Sequence, residues 1–127
     1  MLSALPLSAR ESAFLAGFPG AVARFTDGER DIVMRWVTQP TRRLHPAEDC
    51  YRGLGYTVDT SRIVTDADRA RWRCFKASRK QDAREVCEQL QDQEGGRWTD
   101  VSAWYWAALL QQSNGPWLVT TASIDRR

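Results

Sequence analysis

Apolar and polar residues alternate from Arg30 to Val37: Ile32, Met34 and Trp36 fall on one face, and Asp31, Val33, Arg35 and Val37 on the other. That period of two predicts a strand with one wholly apolar face and one mixed face. Ala21 to Phe25 precedes it across Thr26-Asp27-Gly28-Glu29, whose Asp-Gly step suits a turn that needs positive φ. The pattern therefore predicts a β-hairpin over 21–37, ended by Gln39-Pro40. A second hairpin is predicted over 71–90, from strands 71–77 and 84–90 about Ser78-Arg79-Lys80-Gln81-Asp82. If Cys74 stands opposite Cys87, then Phe75 meets Val86, Lys76 meets Glu85 and Arg73 meets Glu88. One register thus yields an apolar pair and two opposite-charge pairs.

Helical spacing appears in three places. Ser8-Ala9-Arg10-Glu11 fits a capping box and predicts a short helix over 8–16, seated by Phe14, Leu15 and Phe18 and stopped by Gly17 and Pro19-Gly20. Pro46, with Glu48 and Asp49 after it, opens a helix over 46–54, and Gly55 can end it in the left-handed conformation. Thr99-Asp100 caps a helix over 100–111, in which Val101, Trp104, Tyr105, Ala108 and Leu109 recur on one side, widened by Trp106 and Leu110. A short strand is expected over 62–65, and a final strand over 117–123 follows the breaker Ser113-Asn114-Gly115-Pro116. The predicted whole is one α+β domain over 1–127: an antiparallel sheet from two hairpins plus a C-terminal strand, packed by two to three helices.

Composition narrows the function classes. The 18 basic residues are interleaved with 16 acidic ones for a net charge of +2, which argues against nucleic acid. No run is apolar and long enough to span a membrane, and the first residues lack the basic flank and apolar core of a signal peptide. The three cysteines, Cys50, Cys74 and Cys87, have no metal-type spacing, and with a single histidine no metal site and no cofactor are expected. Cys74 and Cys87 are either a disulfide or two buried thiols. Of six tryptophans, Trp98, Trp104, Trp106 and Trp117 fall in one C-terminal region. They read either as core or as a surface for stacking on sugars.

The residues with most chemical promise lie together. Cys50 stands near the start of the helix that Pro46 opens, His45 precedes it, and Arg43 is close in sequence. A helix start and nearby cations favour a thiolate, with His45 as base or ion-pair partner and Arg43 steadying developing negative charge. Glu48 and Asp49 work the other way and raise the thiol pKa. Cys50 thus reads as a small packing residue, a reactive thiol or half of a disulfide, and His45 as a loop cap or a base.

The segment from His45-Pro46-Ala47-Glu48-Asp49-Cys50 to Gly55-Tyr56 resembles the His-x-Pro-x-x-Cys…Gly-(Trp/Tyr) signature of exosortase-associated exopolysaccharide-biosynthesis accessory proteins. His45, Pro46, Cys50 and Gly55 carry the likeness, which extends loosely over much of the chain. It departs in spacing, since His45 directly precedes Pro46, and Trp104-Tyr105-Trp106 falls in a predicted helix where an aromatic strand would be expected. The resemblance implies a non-enzymatic accessory or interaction domain on the periplasmic side of the inner membrane. Its partner would be a membrane exosortase or polysaccharide-export protein, and its contact with the membrane would run through a segment absent from this chain. Two rivals remain: a cysteine-dependent hydrolase or transferase using Cys50 and His45, and a glycan-binding module using exposed tryptophans. A cytoplasmic location is the alternative to a periplasmic one.

Overall fold

The computed structural model describes residues 3–6 and 19–126. The helix expected over 8–16 lies outside the described residues. The chain is α+β, and its described residues form one antiparallel sheet with two helices on it. Strands β1 (Ser3–Leu5), β2 (Gly20–Thr26) and β3 (Arg30–Val37) come first, then helix α1 (Ala47–Gly53). Next are β4 (Thr57–Val58), β5 (Arg62–Thr65), β6 (Arg71–Arg79), β7 (Asp82–Gln91) and β8 (Arg97–Trp98). Helix α2 (Val101–Leu109) and strand β9 (Trp117–Asp125) complete the order. The sheet runs β1-β2-β3-β9-β7-β6-β4, with β5 also on β6 and β8 also on β7.

Both hairpins form as the residue pattern predicts. In the first, Gly28 takes φ 95 and Asp27 Oδ1 accepts from the backbone N–H of Glu29 and Arg30 at 3.0 and 2.7 Å. In the second, Cys74 pairs with Cys87, Phe75 with Val86, Lys76 with Glu85 and Arg73 with Glu88. The strands run further into the turn than expected, to Arg79 and Asp82, because Lys80 adopts φ 54 and closes a tight connection. Cys74 and Cys87 are joined by a disulfide. The expected charge pairs, however, go to other partners: Glu85 binds Arg62 at 3.3 Å, Arg73 binds Glu48 at 2.9 Å, and Glu88 binds Arg35 at 2.7 Å. Register is set by the backbone and by alternation, whereas long charged side chains reach whichever partner is best placed.

The last strand does not sit at an edge. β9 lies between β3 and β7 and pairs along its length with both. Alternation then defines two faces. One carries Val37, Val119, Trp117, Leu90, Val86, Phe75 and Ala77, and the two helices pack on it. For β3 this is the mixed face. Arg35 and Val37 are buried, and Trp36 on the wholly apolar face is 40% exposed. An arginine can stand on the core face because a carboxylate from β7 meets it there.

The helix-covered core has two parts. Val101, Trp104 and Ala108 of α2 pack with Leu44 on Val37, Leu90, Trp117 and Val119. Trp104 stacks edge-on against Trp117 at 5.4 Å. Ala47, Tyr51 and Tyr56 pack on Phe75, Ala77 and Val86. Asp100 caps α2 by accepting from Ser102 N–H at 3.0 Å. Leu109 and Leu110, placed by their spacing on the buried stripe, are exposed, because the helix stops at Leu109 and Gln111 turns the chain at φ 62. Among the described residues no helix is long and apolar enough to cross a membrane.

Candidate functional site

The segment from Leu44 to Tyr56 lies on the sheet between the two apolar clusters, and its polar groups hold it there. Arg35 and Glu88 are 8% and 5% exposed. Arg35 Nη2 donates to Glu88 Oε2 at 2.7 Å, and Arg35 Nη1 donates to the backbone oxygen of His45 at 3.4 Å. Glu88 Oε1 accepts from the backbone N–H of Ala47 at 3.1 Å, and Oε2 also accepts from Thr121 Oγ1 at 2.7 Å. The carboxylate thus takes the place of an N-cap side chain, which Pro46 cannot provide. Arg35 Nε is buried without a partner among the described residues.

The rest of the segment is fastened in turn. Glu48 Oε1 accepts from Arg73 Nε at 2.9 Å. Asp49 pairs with Arg52 at 3.4 Å. The Tyr51 ring meets Tyr56 and Phe75 edge-on at 5.0 and 5.8 Å. Gly55 takes φ 92, as the helix stop requires. Tyr56 donates its phenol proton to Asp82 Oδ2, and Arg79 lies 4.5 Å over its ring. Burial raises the Tyr51 phenol pKa, whereas the bond to Asp82 raises that of Tyr56.

Cys50 is the free cysteine and is exposed as a residue. Its backbone N–H donates to Pro46 O at 3.3 Å and also favours the thiolate, as the smallest of the named influences on the thiol. Crowding by surrounding protein raises the thiol pKa most. Arg35 pulls it down, and Glu88 and Asp49 push it up again. The cation that reaches this thiol most strongly is therefore Arg35, from a strand distant in sequence. His45 and Arg43 are both exposed. His45 is held through its backbone oxygen, and Arg43 N–H donates to Thr41 Oγ1 at 3.1 Å. Among the described residues no hydrogen bond links the Cys50 thiol to the His45 imidazole.

This arrangement has a direct consequence for reactivity. A thiol with a raised pKa is protonated at neutral pH, and its thiolate fraction grows as pH rises through that value. Alkylation of the native protein without reductant is expected at Cys50 alone. Its rate should still be climbing at pH 9, which mass spectrometry of the modified chain would show. A plateau reached below pH 8 would mean an activated thiol instead.

The four tryptophans separate. Trp104 is fully buried and Trp117 is 3% exposed, so neither can offer an indole face to a ligand. Of the two readings open to them, both take the core one, and neither is a binding residue, because α2 lays Trp104 onto the end of β9. Trp117 Nε1 donates to Ser113 Oγ at 2.9 Å, and Ser113 in turn donates to Asp92. Trp98 is half-buried at the edge of the same cluster, and Trp106 is 49% exposed.

The chain matches no family model, no curated protein and no solved structure. Sequence reasoning missed Arg35 and Glu88 as the residues that seat the motif segment. The available signal was an arginine on a strand face that also carries Val33 and Val37.

Proposed function

We propose that this chain is a non-enzymatic accessory domain of an exosortase-linked exopolysaccharide-biosynthesis or protein-sorting system, working on the periplasmic side of the inner membrane. The observation that carries the reading is the use of the His45-to-Tyr56 segment as structure. Its backbone is held by the Arg35–Glu88 pair, its tyrosines by packing and by Asp82, and its cysteine is kept protonated by its surroundings. A motif used in this way fixes the shape of a surface and leaves little for acid–base work. The Cys74–Cys87 disulfide supports an oxidising compartment over the cytoplasm, since such bonds persist outside reducing surroundings. The partner in this reading is a membrane exosortase or polysaccharide-export protein, met on the exposed side of the segment.

Complementation in the native host separates this reading from a thiol enzyme. Deletion of the gene is expected to abolish or sharply reduce polymer output or sorting. Cys50→Ala should restore it as fully as the wild type does. Unchanged output on deletion would defeat the accessory role. Failure of a well-folded Cys50→Ala protein to complement would bring the cysteine-dependent hydrolase or transferase forward.

A further inference from the structure

Away from the motif segment, a cleft of about 450 Å³ opens between the β5–β6 turn and the junction of β8 with α2. Arg69 and Arg71 line it from the turn side, Arg97 and Trp98 from β8, and Thr99 and Asp100 from the helix entrance. None of the residues from His45 to Tyr56 lines it. Three arginines therefore line one cleft in a chain whose net charge is only +2. Among the described residues, the side chains of Arg69 and Arg71 make no ion pair.

The turn that carries Arg69 is held in shape. Asp66 Oδ1 accepts from the backbone N–H of Asp68 and Ala70, each at 2.9 Å, and Oδ2 accepts from Trp72 Nε1 at 2.9 Å. Arg69 itself sits at φ 64, a conformation that side-chain-bearing residues rarely adopt. Arg97 Nη1 donates to Gln89 Oε1 at 3.3 Å, on the sheet face opposite Trp98, so Arg69 and Arg71 are the cations open to a ligand. The cations are thus displayed on fixed backbone.

A second, smaller cleft of about 180 Å³ holds Arg42, Tyr105 and Trp106, and Asp100 lines both. The two flank the entrance of α2. In the smaller one the Arg42 guanidinium lies 4.6 Å over the Tyr105 ring and 5.8 Å from that of Trp106. Stacking in this way leaves the edge of a guanidinium, with its donors, open to a ligand.

We propose that the two clefts form one groove for a linear, carboxylate-bearing polysaccharide. The guanidinium forks of Arg69 and Arg71 match carboxylates in two-point contact. Trp98 and Trp106 supply apolar ring surface for the sugar faces. Asp68 and Asp100, also on the cleft wall, are acceptors that suit the hydroxyls of a sugar. The 18 basic residues of the chain are interleaved with 16 acidic ones for a net charge of only +2, which argues against nucleic acid as the occupant. The proposal does not rest on the accessory role: of the residues from His45 to Tyr56 only Pro46 lines the smaller cleft, and the arginines tested and the binding readout are separate from Cys50, His45 and polymer output.

Calorimetric titration of the whole chain with polygalacturonate oligomers tests it, with uncharged dextran and an oligothymidylate of similar length alongside. Binding is expected for polygalacturonate alone, weakening with added salt. Arg69→Glu/Arg71→Glu should lower the affinity by about tenfold or more, since a repulsive charge replaces an attractive one at the contact. Trp106→Ala should weaken long oligomers and leave the shortest unaffected. Arg71→Gln, run in parallel, should give a smaller loss in the same direction and covers the case in which the double variant fails to fold. No binding of polygalacturonate, equal binding by the arginine variants, or equal binding of dextran overturns the proposal. Tighter binding of the oligothymidylate with the same arginine dependence overturns it in favour of a phosphate polymer.

Discussion

Replacing Glu88 by alanine is expected to lower stability by about 3–5 kcal/mol, as breaking a buried ion pair by removing one partner does. The loss comes from three groups at once. Arg35, 8% exposed, keeps its charge with no counter-charge. Ala47 N–H loses its acceptor at the start of α1, and Thr121 loses its own. Denaturant titration gives the size of the effect. A matching result from Arg35→Ala would follow, because the pair fails from either side. The double variant Arg35→Met/Glu88→Leu should recover much of the loss, since apolar residues of similar volume often replace a buried pair without cost. Proteolysis is expected to cut first within residues 44–56 in Glu88→Ala and at no such preferred place in the double variant's sheet. A loss under about 1 kcal/mol for Glu88→Ala would mean that the pair is no more than an exposed salt bridge.

Trp104→Ala should be of similar size, about 3–5 kcal/mol, because the whole indole is inside and a cavity would remain. Its edge-on contact with Trp117 would also go. Trp104→Phe should be much milder. Trp104 Nε1 is buried without a partner among the described residues. Removing that donor recovers part of its desolvation penalty, of order 1–3 kcal/mol, against the smaller ring's lost packing. Thermal unfolding of the two variants side by side decides it. A Trp104→Phe loss as large as that of Trp104→Ala would mean that neither the retained ring nor the removed donor recovers anything, and would overturn this expectation.

Much of the fold was legible because it is local. The Asp27-Gly28 turn, the Asp100 cap and the Gly55 stop each sit within a few residues of what they control. The register of β6 on β7 was also readable, since alternation leaves few ways to align the strands once Cys74 is set against Cys87. Elements of two or three residues, β1 and β8, are too short for any periodicity to show. The position of β9 was not readable, because nothing in Trp117–Asp125 says which neighbours it takes. The partner of Arg35 was hidden for the same reason. A strand whose other face is all apolar gives no hint that its charged face will be covered, until a carboxylate far along the chain is brought opposite. The thiol was half legible: Glu88 and Asp49 both raise its pKa, and only Asp49 lies beside it in sequence. Of the tryptophans, spacing placed Trp104 on the buried side of α2 but could not separate Trp98 from Trp117.

The place of β9 also governs how the protein assembles. Each hairpin closes a short loop and can form early. The two halves of the sheet, β1-β2-β3 and β7-β6-β4, meet only through β9. Joining them requires pairs such as Arg30 with Ile124, distant along the chain, and the entropy of closing that loop is spent before any packing returns it. Such topologies fold slowly relative to their stability. Until β9 docks, β3 and β7 each offer an open edge to other chains, so the interval before docking is when the protein is most exposed to aggregation.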